Sequence, residues 1–163
     1  MPVPPELLRA LAASFVLAIF DEFMLHAPQR RGELGPLAEF LAQSWGPSIS
    51  SMGLDTPTSP RMASQLVLER SAKFEPRTVY SRFLAAVLDC LRPALREAMA
   101  PGSTLSLAQR WKDIVRSSES AVLTYNQSPP QALDALFFDL FSALSQRTSA
   151  PGVSTRSQWC VPS

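Results

Sequence analysis

The chain has 163 residues, of which 46% are hydrophobic and 18% are charged, and its formal net charge is +1. This length is typical of one domain with a sizeable core, and the low charged fraction indicates a surface partly covered by other copies or by partners. A single histidine excludes most general-base schemes at neutral pH, so we do not expect an enzyme.

The first predicted element is a helix that begins at Pro4-Pro5 and ends before Pro28. Between residues 10 and 20 the only polar side chain is that of Ser14, which predicts a helix buried on nearly all sides. The apolar run is too short to cross a bilayer. A secretory signal is the alternative, but Asp21-Glu22 occupies the place of a small-residue cleavage site.

A second helix is predicted between Gly35-Pro36 and Gly46-Pro47, antiparallel to the first. Residues 48–60 have no periodicity and many turn residues, which predicts a long irregular loop. Residues 62–70 are too few to distinguish a short helix from an extended segment.

Residues 78–99 have the clearest helical period, and we expect the rest of the chain to pack around them. Apolar side chains recur there at i, i+3, i+4 and i+7 over six turns. The other face carries one polar stripe, formed by Arg82, Asp89, Arg92 and Arg96. Pro93 removes the backbone hydrogen bond to the Asp89 carbonyl, which predicts a kink or a break.

A fourth helix is predicted over residues 103–126, with Arg110, Asp113 and Ser120 on its polar side. A capping box at Ser128 begins a fifth helix, which leaves Phe138 off the buried face as a candidate contact with another chain. We expect residues 1–147 to form one helical-bundle domain. Residues 148–163 form a Ser/Pro-rich tail that we expect to dock through Trp159 and Cys160.

The charge is unevenly distributed along the chain. Residues 61–116 hold ten basic and five acidic residues, a net charge of +5, and the remainder holds five basic and nine acidic residues, a net charge of −4. A basic middle between acidic ends suits a polyanionic partner or head-to-tail self-association. Thirteen arginines against two lysines indicate either a GC-rich coding sequence or bidentate phosphate recognition.

The sequence has no metal-binding cluster, phosphate-cradling glycine loop or cofactor motif, so we expect no cofactor. Cys90 is interpreted as a buried reduced thiol, and a Cys90–Cys160 disulfide in a secreted protein is the alternative. The polar stripes are either two solvated faces or one phosphate-binding face formed by adjacent helices. No aromatic residue lies between their arginines, so RNA contact would involve the backbone and depend on salt.

Several short features, taken in order, resemble the coat proteins of rigid rod-shaped plant viruses of the tobamovirus type. They are Trp45-Gly46-Pro47-Ser48, Lys73-Phe74, Val79-Tyr80, the run from residue 86 to residue 95, Arg110 with Asp113, Ser120, and Trp159. The resemblance covers roughly residues 37–125 and implies a four-helix bundle that stacks into a tube around single-stranded RNA. The family's long arginine-bearing segment between the two RNA-facing helices has no counterpart at residues 100–104.

We therefore predict an all-α protein, an antiparallel bundle of four long helices plus a fifth, with a long irregular loop between helices 2 and 3. The predicted function is a structural coat protein that self-assembles and packages single-stranded RNA, located in the virion or host cytoplasm and without a membrane span. The alternatives are a small all-α adaptor or regulatory protein and a secreted helical-bundle ligand. The predicted RNA-binding residues are Arg82, Arg92, Arg96, Arg110, Asp113, Arg116 and Ser120, and the predicted subunit contacts are Trp45, Asp89, Phe138 and Trp159.

Overall fold

The computed structural model describes residues 3–54, 60–98 and 101–145. Throughout these ranges the regular secondary structure is helical, which confirms the all-α prediction. The α-helices are α1 (Pro5–His26), α2 (Arg31–Ser51), α3 (Pro60–Arg70), α4 (Pro76–Ala98), α5 (Pro101–Leu123) and α6 (Pro129–Ser145). A short 3-10 helix, Pro28–Arg30, connects α1 to α2.

The helix at the centre of the fold is α1. Apart from Arg9, each residue from Leu7 to Phe20 is buried, and α1 packs against α2, α3, α4 and α6. The expectation that residues 78–99 form the centre was therefore wrong. An amphipathic helix such as α4 needs water on one side, whereas a helix without a polar face is stable only when it is surrounded.

Aromatic contacts join α1 to α4, α5 and α6. The Phe15 ring meets Phe83 of α4 and Phe137 of α6 edge-to-face, with ring centroids 5.3 and 5.5 Å apart. Farther along α1, the Phe20 ring lies 5.9 Å from Trp111 of α5. Edge-to-face rings gain energy beyond the area that they bury, so these contacts fix the positions of α4, α5 and α6 around α1.

The second helix is longer than its prolines predict. Helix α2 begins at Arg31, contains both Pro36 and Pro47, and continues to Ser51. Each of these prolines follows a glycine, which has no Cβ to clash with the proline ring, so the helix tolerates them despite the lost backbone bonds. Residues 48–51 of the predicted loop are therefore helical, and residues 62–70, which the sequence left undecided, belong to the helix α3.

Helix α4 runs through Pro93 without a break, so the alternative of a break at this proline is wrong. It is antiparallel to α1, because Phe83 meets Phe15 while the Cys90 thiol, near the other end of α4, donates to the Arg9 carbonyl at 3.8 Å. Burial raises the pKa of the Cys90 thiol to about 12, with a smaller contribution from the Asp89 charge. Cys90 is thus a buried, protonated thiol, and Cys160 lies outside the described residues.

Glu75 caps the N-terminus of α4. Its carboxylate accepts hydrogen bonds from the backbone amides of Arg77 and Thr78, each at 2.9 Å, and from the Thr78 hydroxyl at 2.8 Å. These bonds, with that from the Arg77 amide the largest contribution, lower the pKa of Glu75 from its ordinary value of 4.5. A carboxylate at this end of a helix satisfies amides that have no partner within the helix.

The lowered pKa gives a pH-dependent contribution to stability. Its contribution is complete above the ordinary pKa of 4.5 and disappears as the pH falls through the lowered folded value. We expect Glu75→Gln to lower the Tm at neutral pH and to lower it progressively less as the pH falls below 4.5, in thermal melts followed by circular dichroism. Glu69→Gln, at an exposed site on α3, is the control. A Tm difference independent of pH would contradict this role of Glu75.

Candidate nucleic-acid interface

Three arginines that the sequence did not single out bind carbonyls at, or just after, the C-terminal ends of other helices. Arg30 donates to the Leu144 carbonyl of α6 at 3.0 Å, and Arg77 donates to the Leu123 carbonyl of α5. Arg70 donates to the carbonyls of Met52 and Gly53, just after α2, at 2.7 and 3.3 Å. A guanidinium suits this position because it brings several donors and a positive charge to the negative end of a helix.

Other basic residues converge on a shallow groove between α4 and α5. The groove has a volume of about 210 Å³, and its apolar base is formed by Leu88 and Leu91. Arg92 lines it from α4, and Gln109 and Lys112 line it from α5. The predicted side-by-side packing of the two helices therefore brings a cation from each of them to one place, although Lys112 was not among the predicted RNA-binding residues.

Arg96 and Arg116 extend this positive region. Arg96 lies one turn beyond Arg92 on α4, and Arg116 lies one turn beyond Lys112 on α5. Both side chains are exposed, and among the described residues neither has a hydrogen bond or an ion pair. We call Arg92, Arg96, Lys112 and Arg116 the basic seam. Arg92 contacts Asp89 at 3.4 Å, but such an exposed pair is weak enough to open for a phosphate.

Arg110 is on a different side of α5 from Lys112. At 100° per residue the two side chains differ in direction by about 200°. Arg110 donates to the Ser106 hydroxyl at 2.7 Å, and burial, followed by the charge of Arg30, lowers its pKa. The structure thus places Arg110 beside Arg30, away from α4, and does not bring it to the basic seam.

The remaining predicted RNA-binding residues are distributed as follows. Asp113 is exposed and accepts a hydrogen bond from Gln109 at 3.0 Å, next to the groove, and Ser120 is exposed two turns farther along α5.

Arg82 lies in a second groove, between the start of α1 and the middle of α4. Asp89 lines that groove as well, and so does Arg9, which was not among the predicted site residues. Arg9 could have been noticed as the one charged residue between Leu7 and Phe20.

The predicted subunit contacts differ in exposure. Trp45 is half-buried and packs against the core, whereas 66% of Phe138 is exposed on the outer face of α6. Trp159 lies outside the described residues. Asp89 is exposed as well, so Phe138 is the exposed apolar residue among the predicted contacts that the structure describes.

His26, the single histidine of the sequence, is exposed. The His26 ring bonds the Glu22 carboxylate at 3.0 Å and contacts the edge of Phe141 at the end of α1. In the same ranges no group of three or more His, Cys, Asp or Glu side chains could hold a metal ion. None of the described helices combines the length and apolar character needed to cross a membrane.

No protein-family model matches this chain. Comparison with curated proteins gives no match, and comparison with solved structures gives none either.

Proposed function

We propose that this chain is a structural protein that self-assembles and packages single-stranded RNA by binding the phosphate backbone along the basic seam. The observation that supports the proposal is the position of Arg92 and Lys112, which reach the same groove from α4 and α5. Guanidinium and ammonium groups at a shared apolar groove suit a flexible anionic polymer whose sugars lie against the apolar base.

The arrangement of the seam also indicates how RNA would be held. Its four cations lie on two packed helices, so their spacing is fixed by the fold and not by a loop. Aromatic side chains for base stacking are not among the residues that line the groove. Binding should therefore be insensitive to base sequence and strongly dependent on salt.

The direct test measures binding of a fluorescently labelled single-stranded RNA by anisotropy over a range of salt concentrations. If all four cations of the seam contact phosphates, the slope of log K against log salt is about −3. We expect Arg92→Gln/Lys112→Gln to weaken binding at least about tenfold and to make the slope less negative by about 1.4. Both residues are on the surface, so the fold should be retained.

The matched control is Arg31→Gln, which removes an exposed arginine at the start of α2, outside the seam. We expect its RNA affinity to stay near that of the unmodified chain. Equal losses per removed charge in the control and the double variant would indicate nonspecific attraction and contradict the seam. Negative-stain microscopy with and without nuclease tests packaging, and monodisperse monomers free of nucleic acid at every pH and salt would contradict the proposal.

A small all-α adaptor is the second candidate, and a different groove favours it. This groove, about 250 Å³ in volume, lies among α3, α4 and α6 and is lined mainly by apolar side chains, including Val67, Phe74, Tyr80 and Leu133. An apolar groove of this size suits an inserted side chain of a partner protein. An adaptor would bind no RNA in the anisotropy test, and Arg92→Gln/Lys112→Gln would leave its partner binding unchanged.

A further inference from the structure

The groove between α1 and α4 is separate from the groove of the basic seam. Its volume is about 200 Å³, and Val3, Leu8 and Ala86 contribute to its apolar lining. Arg9 enters from α1 and Arg82 from α4. A cavity of about 150 Å³ can hold a benzene molecule, so an aromatic side chain fits in this space.

The two guanidiniums of this groove are available to a partner. Arg9 and Arg82 are exposed, and within the described part of the chain neither guanidinium makes a hydrogen bond or an ion pair. Asp89 also lines the groove, but its Oδ1 lies 3.4 Å from Nη1 of Arg92, which offsets its charge. The groove therefore favours an apolar group that is flanked by carboxylates.

The outer face of α6 carries such a group. Phe138 is exposed there, Asp134 lies one turn before it and Asp139 follows it, and both carboxylates are exposed. Over the five residues from Asp134 to Asp139 the helix rises about 7.5 Å, which spreads the two charges around the ring. Leu25 is another exposed apolar side chain, but the neighbouring Glu22 is bound to His26.

We propose that Phe138 of one copy inserts into the α1–α4 groove of the next copy, with Asp134 and Asp139 facing Arg9 and Arg82. This inference rests on the self-assembly part of the proposed function and names its interface. The inserted residue is on α6, which packs mainly against α5 and α3, whereas the groove is between α1 and α4. Because the two surfaces differ, the contact is heterologous, and repeated contacts produce rings or open filaments.

The first experiment is sedimentation velocity of the full chain over a range of concentrations at low salt. The unmodified chain associates beyond the 17.9 kDa monomer as its concentration rises. Phe138→Ala and Arg9→Gln/Arg82→Gln each raise the concentration needed for association at least about tenfold. Leu25→Ala, the matched control for removal of an exposed apolar side chain, associates like the unmodified chain. The inference is overturned if either Phe138→Ala or Arg9→Gln/Arg82→Gln associates like the unmodified chain. It is also overturned if the unmodified chain is a monomer at all concentrations.

Mixing the two impaired variants tests the head-to-tail geometry. The Phe138→Ala chain keeps an intact groove, and the Arg9→Gln/Arg82→Gln chain keeps an intact Phe138. Their mixture forms a one-to-one complex with twice the 17.9 kDa mass of one chain and nothing larger. If the mixture remains monomeric, or if either variant alone forms the same dimer, the inference is overturned.

The RNA measurement separates this inference from the proposed function. Phe138→Ala leaves the basic seam unchanged, so at concentrations where the unmodified chain is still monomeric the two chains have equal affinity for a short RNA oligonucleotide. Association with the predicted variant pattern but without RNA binding contradicts RNA packaging and supports the interface. RNA binding without association contradicts the interface and supports the seam.

Discussion

Phe15→Ala should destabilise the protein by about 3–5 kcal/mol. The Phe15 ring is almost completely buried, and it meets the edges of Phe83 and Phe137 at 5.3 and 5.5 Å. Its removal leaves a cavity where α1, α4 and α6 meet, and two aromatic contacts are lost as well. Because domain stability is commonly 5–15 kcal/mol, this single change removes a large part of it.

Urea denaturation followed by circular dichroism measures the effect. Phe138→Ala is the matched control, since the same atoms are removed from an exposed site, and its free energy of unfolding should change by less than about 0.5 kcal/mol. Phe15→Leu should be intermediate, because the smaller side chain fills part of the cavity. Equal effects of the substitutions at Phe15 and Phe138 would contradict the central position of α1.

The proposed surfaces are distributed around α1 without overlap of their central residues. The basic seam runs between α4 and α5, the arginine-lined groove lies between α1 and α4, and Phe138 is on the outer face of α6. Asp89 and Arg92 connect the first two, since each lines a different groove and they contact each other at 3.4 Å. A phosphate that draws Arg92 away from Asp89 would leave that carboxylate in the assembly groove less neutralised. We therefore expect RNA and self-association to influence each other through this pair.

Much of the fold follows from apolar periodicity. The pattern of residues 78–99 predicted α4 to within two residues of its start, and the apolar run of residues 10–20 predicted a buried α1. Periodicity states which side of a helix is buried but not which helix is central. The central position of α1 follows from its lack of a polar face. That property is recognised only when the helices are compared with one another, and not from the period of one helix.

The candidate sites were less predictable, because they depend on how helices face one another. Arg110 and Lys112 are two residues apart, and the sequence favoured Arg110 for its place in a polar stripe. The packing of α5 directs Lys112 to α4 and Arg110 to Arg30. The side on which one helix meets another depends on tertiary packing, which a stripe on a single helix does not encode.

Arg30→Met should destabilise the protein by about 2–3 kcal/mol. Only 7% of Arg30 is exposed. Its guanidinium donates to the Leu144 carbonyl at 3.0 Å and forks onto Glu33, with Nε and Nη2 donating at 2.9 and 3.1 Å. It also lies 5.6 Å from the centre of the Phe23 ring.

Most of this loss should come from the Leu144 carbonyl, because the Glu33 side chain is 40% exposed and water can replace its partner. Methionine keeps the apolar contact with Phe23 but provides no donor, so the buried end of α6 loses a hydrogen bond that water cannot easily replace. Arg31→Met is the matched control at the next residue, which is exposed, and should change stability by less than about 0.5 kcal/mol. Urea denaturation measures both variants, and hydrogen exchange should show faster opening of the last turn of α6 in Arg30→Met alone. Equal stabilities for the two variants would show that the Arg30 contacts contribute little to the fold.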